Sequence, residues 1–327
     1  MVKRFKIQVV FVILLCVAMV TGNYGTETIF AAGSKNEVEP NNAPSQADRT
    51  YNDYDNYGYI STSSDVDWWV VNFYYSGSAN FFLGNIPIGC DYDLRLYPAD
   101  VSILLGSSLK YGNASELITY EVAANTDYYI RINSSSGSST NSPYLFRTKV
   151  YPSKVLSTVP LYTQEESNTC GSACGRMILK HYGILVSELD FKNKANDIAE
   201  PGHDFTYVYA INGAINYYLS VNGKSTRYNY VNVSAYTDEA YSNLLLTNIL
   251  NSHPIQLPLR ITNTYYFPYT TNGHYVVLKG MNYSSATSSY TAVVNDPHNN
   301  YSNTYYLPVS ALFSYNKTHS GYLICVD

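Results

Sequence analysis

Apolar and polar residues alternate in short runs through the first half of the chain and recur at longer spacing in the second. Residues 68–75, 80–86, 93–97, 117–122, 128–133 and 144–150 are rich in aromatic and β-branched side chains and read as strands. Alternation is plainest in Tyr128-Tyr129-Ile130-Arg131-Ile132. Turn-forming residues separate the runs at intervals of about ten, as in an all-β sandwich. The polar stretch 133–142 reads as a hairpin tip and 151–157 as a short connector. Beyond it, Ala173, Cys174, Met177, Ile178 and Tyr182 form one face of a helix over 170–182. Ser167, Asn168 and Thr169 offer N-cap oxygens, and Gly183 stands where a helix would stop. Helical patterns recur at 210–219 and 236–251, and strands at 254–261, 274–280, 290–295, 302–307 and 321–326. Helices followed by a run of antiparallel strands predict an α+β domain.

A third pattern precedes both halves. Lys3, Arg4 and Lys6 lead into an apolar run from Ile7 to Val20, too short to span a bilayer and suited to a signal peptide. Small residues at 21–22 and 31–33 place the cut within 22–33. The expected organisation is a signal peptide at 1–32, a sandwich at 37–150, a linker at 151–157 and a second domain at 158–327. The mature chain is expected outside the cell, free of the membrane once the signal is removed.

Composition narrows the function. At 327 residues the chain has room for two domains. Its 36 Tyr outnumber the 20 Lys and Arg, and 46% hydrophobic against 14% charged residues is the balance of packed cores. The net charge of −5, with no basic run beyond the first six residues, argues against nucleic acid as a partner. Five Cys are too few for a disulfide scaffold. Asp65, Asp67, Asp91 and Asp93 put paired carboxylates on strand faces; they read either as solvated strand-edge acids or as ligands of a structural calcium. No other cofactor is expected: His203-Asp204 and His298 lie at no zinc-ligand spacing.

The candidate chemistry lies at one helix start and two strand ends. Cys170 opens the predicted helix, where the partial positive charge of the N-terminus favours a thiolate, the reactive form of Cys. Gly171 leaves the backbone open for substrate, and Cys174, one turn on, faces the core. Gln164, six residues earlier, can reach the same helix start and donate to an oxyanion. His274 opens a β-prone run and suits a general base. Asp296 ends a strand and can hold the far nitrogen of a His ring. Nucleophile, base and orienter are the parts of thiol acyl transfer. Tyr265-Tyr266 and Tyr305-Tyr306 read as half-buried sheet surface or as the wall of a peptide or sugar groove.

Two resemblances add to this. Glu39-Pro40-Asn41-Asn42, Asp65-Val66-Asp67-Trp68, Asp91-Tyr92-Asp93-Leu94-Arg95-Leu96-Tyr97 and Asn125-Thr126-Asp127-Tyr128-Tyr129-Ile130-Arg131-Ile132 resemble the bacterial pre-peptidase C-terminal domain, a β-sandwich attached to secreted peptidases. That domain usually trails its enzyme; here it leads, which favours a role in attachment or solubility. Val159-Pro160-Leu161-Tyr162-Thr163-Gln164, Cys170-Gly171, Met177-Ile178-Leu179, Gly273-His274-Tyr275-Val276-Val277 and Asn295-Asp296-Pro297 resemble the C39-like, bacteriocin-processing cysteine peptidases of the papain-like superfamily. That resemblance implies Cys170 as nucleophile, His274 as base, Asp296 as orienter and Gln164 as oxyanion donor. The transporter segments of classical members are missing, and Gly223-Lys224-Ser225 lacks the upstream Gly of a phosphate loop, so double-glycine specificity is not carried over. The expectation is a secreted cysteine peptidase acting on peptide or protein. Its leading module would dock to cell wall or extracellular matrix. The rivals are a cell-wall peptide amidase or transpeptidase and a binding module without turnover.

Overall fold

The computed structural model describes residues 33–326, so the expected signal segment lies outside the described residues. Ten strands make the first half: β1 (Gly33–Asn36), β2 (Asp48–Thr50), β3 (Tyr54–Gly58), β4 (Val66–Asn72), β5 (Gly77–Gly84), β6 (Asp91–Tyr97), β7 (Gly106–Ser108), β8 (Glu116–Val122), β9 (Asp127–Ser136) and β10 (Tyr144–Pro152). One sheet runs β1-β3-β10-β5-β8 and the other β2-β4-β9-β6-β7. Alternate residues point inward, so Ala79, Phe81 and Leu83 of β5 share one core with Trp69 and Val71 of β4 and Ile130 and Ile132 of β9. Burying each large apolar side chain stabilises the sandwich by roughly 1.5–3 kcal/mol. The stretch 133–142 is not a hairpin tip. β9 runs on to Ser136, and β9 and β10 belong to different sheets, so the loop crosses between layers.

The second half mixes helices with one sheet. Its helices are α1 (Cys170–His181), α2 (Glu188–Ile198), α3 (Val208–Val221), α4 (Asp238–Leu250) and α5 (Val309–His319). Its strands are β11 (Lys154–Val155), β12 (Asn229–Asn232), β13 (Ile255–Ile261), β14 (Thr271–Ser284), β15 (Ser289–Asp296), β16 (Asn303–Pro308) and β17 (Tyr322–Cys325). The sheet order is β12-β17-β13-β14-β15-β16, with β11 on β14. The molecule is thus an all-β domain followed by an α+β domain.

Helix α1 is wedged tightly into this core. A Cβ at Gly171 would stand 2.6 Å from Ile211 of α3, and one at Gly175 would stand 2.2 Å from Phe191 of α2. The expected reason for Gly171, open space for substrate, is therefore secondary to helix packing. The helix ends on a Schellman motif: Gly183, at φ +81°, donates to the Lys180 carbonyl, and Ile184 donates to that of Leu179, both at 2.9 Å.

The two halves join without free chain between them. Tyr151 and Pro152 still belong to β10, and Lys154 and Val155 pair with Met281 and Gly280 of β14. Tyr151 stacks on Tyr283 at 4.1 Å, and the Tyr283 amide donates to the Ser153 hydroxyl at 2.8 Å. Tyr75 packs against the α+β core.

Candidate active site

Strand register brings the His and the Asp together. Val277 of β14 lies opposite Asn295 of β15, so one step on Asp296 lies opposite Val276. His274 is two residues from Val276 and shares its face, which makes His274 and Asp296 diagonal neighbours. Their side chains meet at 2.7 Å, Nε2 to Oδ1. Asp296 is fully buried, and two more donors hold it: the Tyr269 hydroxyl at 2.6 Å on Oδ2 and the His298 backbone amide at 2.8 Å on Oδ1.

With Nε2 engaged by Asp296, Nδ1 of His274 remains for the Cys170 sulfur, with which the ring also shares a hydrogen bond. Burial of the ring works against its charged form. The hydrogen bonds to Asp296 and Cys170 and their negative charge outweigh that, and the pKa of His274 rises to about 9. At neutral pH the ring is an imidazolium held between two acidic groups.

Cys170 begins α1, with Thr169 as its N-cap. Thr169 does not cap the helix with its hydroxyl as expected. That hydroxyl is spent on the preceding turn, accepting from the Glu166 amide and donating to the Glu166 carbonyl at 3.0 Å each. The N-cap side chain thus leaves the first-turn amides uncovered, the groups that bind an anion at a helix N-terminus. Gln164 is buried beside them. Its backbone amide donates to the Pro297 carbonyl, next to Asp296, and its Nε2 donates to the Glu166 carbonyl, each at 2.7 Å. One Nε2 hydrogen remains. Arg176 braces this loop from below, bonding Glu165 and the buried Glu188 at 3.1 Å each.

Cys170, Gln164 and His274 line one cavity of about 870 Å³. Cys174, one turn along α1 from Cys170, is fully buried, and burial pushes its thiol well above the usual range, which disfavours the reactive thiolate. The tyrosines on the cavity wall are Tyr207, Tyr209, Tyr230, Tyr275 and Tyr322. Tyr265 and Tyr266 line a separate depression, and Tyr305 packs against the core. Tyr269 went unnoticed in the sequence because nothing sets it apart among 36 Tyr. Its ring also packs on His298 at 4.2 Å and stacks on Tyr301 at 5.5 Å, shielding the His–Asp pair from water.

The four sandwich aspartates divide. Asp65 and Asp67 come together with Glu39, their carboxylate oxygens lying within 4.8 Å of one another. Asp91 and Asp93 are not in that group. They sit on β6, two strands from β4 across β9, and Asp93 pairs with Arg95 at 3.1 Å. Asp67 is fully buried: its Oδ2 accepts from Tyr144 at 2.6 Å, while its Oδ1, like that of buried Asn41, has no hydrogen-bond partner. Burial and the repulsion of neighbouring carboxylates push Asp67 up to about 9 and Glu37 up to about 6. Oxygen donors around uncompensated negative charge suit a hard divalent cation.

A family model described as the Peptidase_C39 like family matches residues 156–322. No curated protein matches the chain. Among solved structures, one similar to it is the pre-peptidase C-terminal domain of a collagenase from Bacillus anthracis. It is 16% identical over 32% of this chain and 94% of that one, with a TM-score of 0.27. Another is the peptidase domain of Streptococcus ComA, a bifunctional ABC transporter of a quorum-sensing pathway. It is 14% identical over 51% of this chain and 97% of that one, with a TM-score of 0.33. No helix among the described residues is long and apolar enough to cross a membrane.

Proposed function

Because the chain belongs to the Peptidase_C39 like family, we propose that it is a secreted cysteine peptidase that hydrolyses peptide bonds through a thioester on Cys170. The observation that carries this reading is that His274, held by buried Asp296, lines one cavity with Cys170 at a helix start its N-cap side chain leaves uncapped. The Cys170 thiolate attacks the substrate carbonyl carbon. The electron pair of the C=O bond moves to oxygen, where the Cys170 amide and Gln164 Nε2 donate to it. As the tetrahedral adduct collapses, the C–N bond breaks and imidazolium His274 gives its proton to the departing amine. Neutral His274 then takes a proton from water, whose oxygen attacks the thioester; the acid leaves and the thiolate returns. Asp296 orients the ring throughout and stabilises its charge. Intact-mass analysis after rapid mixing with a peptide ester tests this. An acyl adduct on Cys170 in the wild type, and none in Cys170→Ala, is the expected result. Turnover by Cys170→Ala would end the reading.

In the sandwich, Glu39, Asp65 and Asp67 would hold a structural calcium, the free Oδ1 of Asp67 being one ligand atom. The ion would neutralise the acids and lock the entry of β4. Calcium should raise the melting temperature of the sandwich, and chelator should reverse the rise; indifference to both would refute the site.

A further inference from the structure

The cavity beside Cys170 carries one fixed charge in addition to the reacting groups. Among the described residues on its wall, Asp204 is the sole carboxylate, and there is no Lys or Arg. His298 and His319 also line it, but burial lowers the pKa of both rings and works against their charged form. Tyrosines share the cavity wall with Asp204, and two of them, Tyr207 at 43% and Tyr230 at 51% exposure, keep much of their ring surface open.

Resting on the peptidase reading above, we propose that this cavity selects peptides carrying a lysine or arginine side chain beside the cleaved bond, with Asp204 as the anionic reader and the tyrosines as its walls. Asp204 is held for that task. Its Oδ1 accepts from the Thr206 amide at 2.8 Å and from the Thr206 hydroxyl, which fixes the carboxylate and leaves Oδ2 open. No Lys or Arg pairs with it among the described residues. The loop bearing it is tied down on both sides. The Tyr275 hydroxyl donates to the Thr206 carbonyl at 2.8 Å, the Glu200 amide donates to the Tyr209 hydroxyl at 2.7 Å, and His203 stacks on Tyr207 at 4.0 Å. An ammonium or guanidinium entering here meets a carboxylate and electron-rich ring faces, and its alkyl stem lies along apolar ring surface. A glutamate meets like charge. A cavity of about 870 Å³ has room for a long side chain as well as the peptide main chain. Asp204 itself is exposed, so the preference is screened by salt.

The test uses the full-length protein and a set of fluorogenic peptides identical except for Arg, Gln or Glu at each position flanking the cut. The expected result is kcat/KM at least about tenfold higher for Arg than for Gln at one position, with Glu lowest. Half-molar salt should compress that ratio. Asp204→Asn should collapse the Arg/Gln ratio, and Asp204→Lys should invert the order so that Glu exceeds Arg. Cleavage that ignores charge at every position, or a ratio untouched by both variants, overturns the proposal and leaves the peptidase reading intact. A second arm measures binding of the same peptides to Cys170→Ala by calorimetry. If no peptide is cut yet Arg peptides bind best and Asp204→Asn abolishes that advantage, the peptidase reading fails and the cation-binding pocket stands. Equal binding of Arg and Glu peptides overturns the pocket in that case too.

Discussion

Two aspartates in this molecule are equally buried and have opposite surroundings. Asp296 receives three donors: His274, Tyr269 and the His298 amide. Asp67 receives one strong donor, Tyr144, and otherwise faces other carboxylates with one oxygen unpaired. Burying a carboxylate without compensation costs several kcal/mol, so each site has found its own answer. At Asp296 the compensation is built from protein groups, and the positive one is a titrating ring. At Asp67 the charge is left for a proton or a cation. A buried acid therefore announces a function only through the partner that neutralises it.

The largest expected effect tests the Asp296 side. His274→Ala removes the proton donor and acceptor and should lower kcat by about a thousandfold or more. Single-turnover hydrolysis of a peptide that the wild type cuts measures it, and near-normal turnover would mean the pair has no chemical role. Gln164→Ala should lower kcat by roughly 100- to 1000-fold, with little change in KM and with alkylation of Cys170 preserved, because the donor acts on charge that exists only in the transition state.

The same substitution at the two acids sharpens the contrast. Asp296→Asn should lower turnover, by less than His274→Ala, and should also lower the melting temperature. Asp67→Asn should leave turnover in place, keep or raise the melting temperature in chelator at pH 8, and abolish the response to calcium. Two variants that behave alike would erase the distinction.

A pH titration reads the ring directly. His274 has its folded pKa raised from 6.5 to about 9, so its contribution to stability is complete below about 6.5 and is lost as pH rises through 9. Blocking Cys170 with neutral iodoacetamide removes an acidic partner of the ring and should shift the NMR titration of His274 to lower pH. An unmoved curve would disconnect the two residues. The smallest effect should come from Tyr269→Phe. A hydrogen bond to a charged group contributes about 1.5–3 kcal/mol to stability, and with Asp296 freer to turn, kcat should fall by roughly tenfold or less.

Cys170, His274 and Asp296 were legible in the sequence because each is a chemically distinctive residue at the end of a strongly periodic segment. Tyr269 and Asp204 were not. Both lie on aperiodic loops, and their importance arises from what the fold sets beside them. Helix α2 escaped notice because it buries only Glu188, Phe191 and Ala195, too few for a visible stripe. The short strands β1, β2, β3 and β7 are polar, and the sheet rather than propensity makes them strands. The calcium candidates were half legible. Asp65 and Asp67 stand together, but sequence spacing cannot reveal that β9 separates them from β6.

The pairing of Lys154 and Val155 with Met281 and Gly280 sets an order of assembly. A ribosome delivers the sandwich first, and its ten strands pair only with one another. Strand β11 emerges next and waits for a partner that is made on the order of a hundred residues later. Until β14 and β15 appear, the new thiol at Cys170 has neither His274 nor Asp296 beside it, since both residues lie on that late hairpin. The nascent chain therefore carries the Cys170 thiol apart from its His and Asp neighbours through most of its synthesis, and the cavity is complete only as its last strands close.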